Sequence, residues 1–294
     1  MRLGIAALVS MVVAAAGAAH AQPAASSAER GMPDQAFFVG AGAGYSFTSF
    51  GSQSVYNKGI SNVFLNGSQV ANGQASGPPV QTFLGGSQSN PSPVVQLGYF
   101  QHFANTDWLW GGKASYAYVG STSSVQNLVI PQYGSSSNGG VSSFNGYSVT
   151  GSYSVTLGHQ FSLMPFVGRS FGKGFVYAGA GPSLSQVQAS INNVVGYATI
   201  NGKLTDVSGP PQTFSSNNWL IGFAATAGVT YFLTPSWFMD LSYGYSQPGG
   251  RTSYINSPFY NPGTGGVSFS GNLIGYYTAN VSAHMVALTF NKSF

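Results

Sequence analysis

The sequence predicts an all-β fold, a transmembrane antiparallel up-and-down β-barrel most simply of eight strands, with ten as the alternative. Three observations carry this. Charged residues make up 5% of the 294 against 43% hydrophobic, whereas a soluble domain carries roughly 25% charged residues to keep its surface wet. Beyond the N-terminus every apolar stretch is broken by Gly, Ser, Asn or Gln, short of the roughly 20 residues that a spanning helix needs. Several segments instead alternate apolar and small polar residues, which suits a strand with lipid on one face. A closed barrel is the other structure that satisfies its backbone hydrogen bonds inside lipid.

The N-terminus reads as an export signal. Arg2 precedes an apolar stretch from Leu3 to Ala19, and Ala19-His20-Ala21 supplies small residues before Gln22, so cleavage is expected between Ala21 and Gln22. Residues 22–35 then form a flexible lead-in and 36–294 one barrel domain, since no composition shift or charged linker divides them.

The strands follow in order. In Phe37 to Phe50, Phe37, Val39, Ala41, Ala43, Tyr45 and Phe47 share one parity, and Gly40, Gly42, Gly44, Ser46 and Thr48 the other, which gives a lipid face and a crowded lumen face. Val94 to Phe103 sets Val95, Leu97, Tyr99 and Phe103 outward and Gln96, Gly98 and His102 inward. After the turn Asn105-Thr106-Asp107, Trp108 to Val119 places Trp108, Trp110, Ala114, Tyr116 and Tyr118 outward, with Lys113 and Ser115 inward. A lysine on the inward parity is what a lipid-facing surface demands. The clearest alternation runs from Tyr147 to Phe161, and the stretch after it, rich in Gly and Pro, reads as a connection to Phe175 to Val187, whose facing is ambiguous. Trp219 to Leu233 sets Trp219, Ile221, Phe223, Val229 and Tyr231 outward. The tight turn Thr234-Pro235-Ser236 leads to Trp237, Met239, Leu241, Tyr243 and Tyr245 outward and Asp240, Ser242, Gly244 and Ser246 inward. The last strand runs from about Tyr277 to Phe294.

Brief turns alternate with long links after Phe50, Val119, Val187 and Gln247, so the two ends of the barrel are unlike. Short turns belong in the periplasm and long loops outside the cell, which puts both termini in the periplasm. Trp108 and Trp237 beside the short turns, with Tyr231, are the expected aromatic girdle. The links are built from Gly, Ser, Asn, Gln and Pro and suit either mobile loops or strands standing above the membrane. If segments such as Val194 to Leu204 and Phe64 to Phe83 cross the membrane, the count rises to ten.

At the C-terminus, MVALTFNKSF places Val286, Leu288, Phe290 and Phe294 on alternate positions and ends on an aromatic. This resembles the signal read by the barrel-assembly machinery, and Phe37 to Phe294 resembles the eight-stranded outer-membrane barrel family that includes OmpA-like barrels. The resemblance implies residence in a Gram-negative outer membrane, with its lipid and lipopolysaccharide and the assembly machinery as partners. Lys292 departs from the pattern by standing where an apolar residue is usual, a position from which it can snorkel to water.

Lys113 and Asp240 lie a few residues inside the same end, on strands that face each other across an eight-stranded ring, and suggest an interior ion pair that plugs or gates the lumen. No catalytic, cofactor-binding or metal site emerges. Glu29 and Asp206 have no second carboxylate beside them for acid–base work, and His102, His159 and His284 lack metal-ligand spacing. With no Cys, thiol chemistry is excluded. The net charge of +4 comes from scattered residues and does not suggest nucleic-acid binding. Ser282 two residues before His284 leaves a lipid-modifying enzyme as the weakest alternative. The sequence favours a non-enzymatic barrel acting structurally or through surface contacts at its loops, ahead of a narrow channel for small solutes, because side chains nearly fill an eight-stranded bore.

Overall fold

The computed structural model describes residues 31–84, 86–137, 141–200 and 202–294; the expected cleavage point at Ala21 and Gln22 lies outside them. Eight antiparallel strands close into a ring: β1 (Gln35–Phe50), β5 (Ser87–His102), β6 (Trp108–Ser137), β7 (Val141–Phe171), β8 (Gly174–Ile200), β10 (Gln212–Thr234), β11 (Trp237–Pro248) and β14 (Val281–Ser293). Each pairs with the next in this order, and β14 pairs back onto β1. Closure leaves no open edge in the wall, as a lipid-embedded sheet requires.

The facings follow the sequence pattern in the lower wall. Phe37, Val39, Tyr45, Val95, Leu97, Ile221, Phe223, Leu241 and Leu288 project outward, and Gln96, Lys113, Thr230, Asp240 and Thr289 are buried inside. Trp108, Tyr231 and Trp237 stand outward near the short turns, and the Lys292 ammonium lies over the Trp237 and Phe294 rings at 5.8 and 5.4 Å. Glycines on the inner parity of β1 let the wall pack closely: a Cβ on Gly42 would fall onto the Leu288 carbonyl and lie 2.7 Å from Thr289 Cα.

Three expectations are corrected. The stretch 162–171 is no connection but the lower end of β7, which turns into β8 at Gly172, with φ of 48°, and Lys173. Neither segment offered as a ninth or tenth membrane strand adds a crossing: Val194 to Ile200 is the upper end of β8, and Phe64 to Phe83 falls within the link between β1 and β5. The lead-in is packed in part, because Met32 is buried inside the barrel.

The long links are strands as well, forming a collar above one end of the ring. Within it lie β2 (Ser52–Leu65), β3 (Ser68–Ser76), β4 (Val80–Phe83), β9 (Lys203–Asp206), β12 (Arg251–Asn261) and β13 (Val267–Ala279). The wall runs β12, β13, β2, β3 and on to the upper part of β6, followed by the tall extensions of β7 and β8.

Amphipathicity inverts where ring meets collar. Below the junction the outward residues are apolar; above it they become Thr122, Ser154, Thr156, Ser190, Asn192 and Asn217. Inside, Val119, Tyr153, Val155, Leu157, Val187, Ala189 and Ile191 form an apolar core with Phe50, Val55 and Tyr277. The collar thus buries apolar surface inward, as a water-soluble domain does. A register shift at Leu157/Gln160, opposite Gly120 with its φ of 59°, lets β7 change sides. Leu157 therefore faces in and Phe161 faces out although both are odd-numbered, so the cleanest alternation in the chain serves two solvents. Higher up, Asn127 and Asn193, at φ of 53° and 55°, flank Gly151 where three strands shift facing together.

The ring also falls into matching halves, β1–β5–β6–β7 and β8–β10–β11–β14. Val39-Gly40-Ala41-Gly42-Ala43-Gly44-Tyr45-Ser46 in β1 has its counterpart in Val176-Tyr177-Ala178-Gly179-Ala180-Gly181-Pro182-Ser183 of β8. Ser115-Tyr116-Ala117-Tyr118 of β6 matches Ser242-Tyr243-Gly244-Tyr245 of β11, and Arg169-Ser170-Phe171 closes β7 as Lys292-Ser293-Phe294 closes the chain. Each matched pair of strands stands on opposite sides of the ring.

Candidate functional site

The lumen is built in layers. Nearest the short turns, Phe38, Phe100, Leu109, Phe166, Phe175, Tyr177, Phe232 and Phe238 come from seven of the eight strands and pack with Met32 into one apolar plug. Phe100 is fully buried, with its ring centroid 5.3 Å from Phe175 and 6.1 Å from Phe232. Side chains of this size, aimed at the axis from all sides, leave no bore in a ring of eight.

A polar layer lies directly above. Lys113 Nζ is 3.2 Å from Asp240 Oδ2 and donates to the Tyr177 hydroxyl at 2.6 Å. The Tyr177 hydroxyl lies 2.9 Å from Asp240 Oδ1, and Gln96 Nε2 reaches Asp240 Oδ2 at 3.1 Å. Gln96 Nε2 also reaches Thr289 Oγ1 and Asn291 Oδ1, each at 2.8 Å. Asp240 thus joins strands from across the ring. Its charge and that of Lys113 are desolvated together, so the network holds only while every partner stays in place. A cavity of about 60 Å³ above it, lined by Ser46, Gln96, Lys113, Ser115, Gln160 and Met285 among others, has room for a few waters. The collar core then closes the lumen from the other side.

Four ties make the collar one body. The buried Gln53 side chain donates to the Gly51 and Asn280 carbonyls at 2.9 and 2.8 Å and accepts from the Asn280 N–H at 2.9 Å, clamping the first link to the fourth. Asn57 Nδ2 donates to Ser148 Oγ at 3.1 Å, and Gln132 Nε2 returns to the Asn57 carbonyl at 3.1 Å, joining first and second. The Tyr153 hydroxyl donates to the Thr278 carbonyl, joining second and fourth. Burial, and after it the neighbouring Tyr277, pushes the Tyr153 phenol above its ordinary range, so it stays a donor. Third and fourth meet where Gln212 Nε2 donates to the Pro258 carbonyl at 2.8 Å and Asn261 Nδ2 to the Asp206 carbonyl at 2.9 Å.

The sequence-predicted residues therefore fall in three places. Lys113 and Asp240 are brought together in the lumen; Trp108, Tyr231 and Trp237 lie on the outer wall at the turn end; Val286, Leu288 and Phe290 form the outward row of the last strand, with exposed Phe294 beyond it. His102 is buried near the turns, with Nδ1 3.0 Å from the Asp34 carbonyl. His159 and His284 face outward, each bonded to a tyrosine hydroxyl. No group of three or more His, Asp or Glu side chains that could hold a metal ion exists among the described residues. Sequence reasoning missed Tyr177 at the network and the whole collar core. The match between β8 and β1 was the available signal for the facing of Tyr177.

The chain matches no protein-family model and no curated protein sequence. Among solved structures it aligns with Neisserial surface protein A at 15% identity over 86% of this chain and 99% of that one, with a TM-score of 0.28. It aligns with Ail, the attachment invasion locus protein of Yersinia pestis, at 14% identity over 79% and 98%, TM-score 0.22. The outer membrane protease OmpT from Escherichia coli follows at 8% identity over 88% and 96%, TM-score 0.28. At these scores the fold assignment rests on the chain's own strand pairing.

Proposed function

We propose that this chain is an outer-membrane barrel of a Gram-negative envelope that acts as a non-conducting, non-enzymatic scaffold, holding a rigid β-collar outside the cell for contact with other molecules. The observation that carries this is the lumen, filled by an aromatic plug at one end and by the collar core at the other. A solute path would have to displace both. The collar supports the second half of the reading, because four links tied to one another by hydrogen bonds present a fixed surface rather than a set of mobile loops. The collar carries exposed Tyr133, Tyr254 and Tyr260, the residue type that binding surfaces favour. The start of β1, the end of β14 and the three short turns share the opposite end, which an exported barrel keeps in the periplasm.

Single-channel recording of the refolded chain in planar bilayers tests the scaffold. Silence is expected; stable unitary openings would replace it with the narrow-channel reading.

A further inference from the structure

Two clusters on the outer wall repeat one arrangement. On β6, Tyr116 and Tyr118 flank Ala117; His159 of β7 pairs directly with Tyr118, and its Nδ1 lies 2.7 Å from the Tyr116 hydroxyl. On β11, Tyr243 and Tyr245 flank Gly244; His284 of β14 pairs directly with Tyr245, and its Nδ1 lies 2.5 Å from the Tyr243 hydroxyl. β6 and β11 stand four places apart in the ring, as do β7 and β14, so the clusters are on opposite sides of the barrel.

Their height is set by the chain itself. Tyr118 lies ten residues along β6 from Trp108, a climb of roughly 25 Å for a tilted strand, which equals the usual height of an outer-membrane apolar band. Outward residues below are apolar, such as Phe161 and Val286, and those above are polar, such as Thr156 and Ser282. Each histidine therefore stands where acyl chains give way to headgroups.

An imidazole on a lipid-facing parity is costly unless both ring nitrogens are met. The tyrosine hydroxyl meets Nδ1. Nε2 has no hydrogen-bonding partner among the described residues and is not buried. When the hydroxyl donates to Nδ1, Nε2 carries the proton and points a donor at the surroundings. Aromatic rings hold that orientation: Tyr118 and Trp219 lie 5.0 and 6.3 Å from His159, and Tyr245 lies 4.9 Å from His284. No protein acid competes for the donor, because the described carboxylates are Asp34 and Asp107 at the turn end, Asp206 in the collar and Asp240 in the lumen.

We propose that the two clusters are equivalent sites for the phosphate of membrane lipids in the collar-side leaflet, one lipid per site. This rests on the membrane reading above and names the lipid chemistry the barrel selects. Native mass spectrometry of the refolded chain in neutral maltoside micelles tests it, with phosphatidic acid as probe, diacylglycerol as its neutral twin and inorganic phosphate as the free anion. Two retained phosphatidic acid molecules are expected, with no retention of diacylglycerol or phosphate. His159→Phe and His284→Phe should each lose one lipid and the double variant both, with folding confirmed by faster gel migration before heating. Tyr116→Phe and Tyr243→Phe keep the ring packing and should weaken their own sites about 3- to 10-fold, the loss of one hydrogen bond's orienting effect. Equal retention of diacylglycerol, two lipids kept by the double histidine variant, or capture of inorganic phosphate instead of lipid would each overturn the proposal. Failure of the membrane reading would look different: the chain would stay folded and soluble with no micelle around it.

Discussion

Lys113 and Asp240 sit on opposite walls of the barrel, yet their charged atoms are 3.2 Å apart and both side chains are almost wholly buried. Breaking such a pair by removing one partner leaves an uncompensated charge, at a cost of about 3–5 kcal/mol. Lys113→Met and Asp240→Asn should each lower unfolding stability by that order in urea titrations of the refolded protein. The double variant should lose much less than the sum, because it leaves no orphan charge. Additive losses would mean that the two residues act independently.

The two seals act in series. Phe100→Ala with Phe175→Ala opens the plug but leaves the collar core, and Tyr153→Ala with Leu157→Ala does the reverse. Each double variant should remain electrically silent, and conductance should emerge only when all four changes are combined. Current through a single-seal variant would show that one layer alone closes the lumen.

Gly42 lines the lumen where the β1 wall approaches β14, and a methyl group there would collide with the Leu288 carbonyl. Backbone cannot step aside as a flexible side chain can. Gly42→Ala should therefore cost about 1–3 kcal/mol and reduce the yield of heat-modifiable folded protein. Gly59→Ala, where a methyl meets nothing within 4 Å, is the matched control and should fold normally.

The Gln53 clamp predicts a local effect. Gln53→Leu removes three hydrogen bonds, leaving the Gly51 carbonyl and the Asn280 N–H and carbonyl without that partner at a cost of about 1–3 kcal/mol. Amide exchange should quicken around residues 51–55 and 278–281 while the lower ring stays protected. Unchanged exchange in the collar would mean that its strand pairing alone holds it together.

The lower wall was legible in the sequence because lipid imposes one rule on it, apolar outward and small or polar inward, and that rule has period two. Gln96, Lys113, Asp240 and the outward rows of β1, β10 and β11 all obey it. The collar was not legible by the same rule. Tyr153 and Leu157 follow the same parity as Phe161, but a shift of register between them turns one set to the core and the other to lipid. Period-two reading counts residues and passes over a bulge; here Gly158 stands inside the shift and the left-handed Gly120 opposite it, two glycines in a chain with 41. Gln53, Asn57 and Gln132 looked like loop composition because their partners are far away in the chain, and only closure of the ring brings them together.

The matched halves make the barrel's connectivity exchangeable. The turn at Gly172 and Lys173 joins one half to the other, while the first and last ring strands already meet, the Phe294 N–H donating to the Phe37 carbonyl at 2.8 Å. A circular permutant that begins at Lys173, runs through Phe294 into a linker and ends at Phe171 would keep every ring pairing. Its last three residues, Arg169-Ser170-Phe171, would close the chain as Lys292-Ser293-Phe294 do now. Such a molecule would separate what the closing sequence contributes to assembly from what its position in the chain contributes.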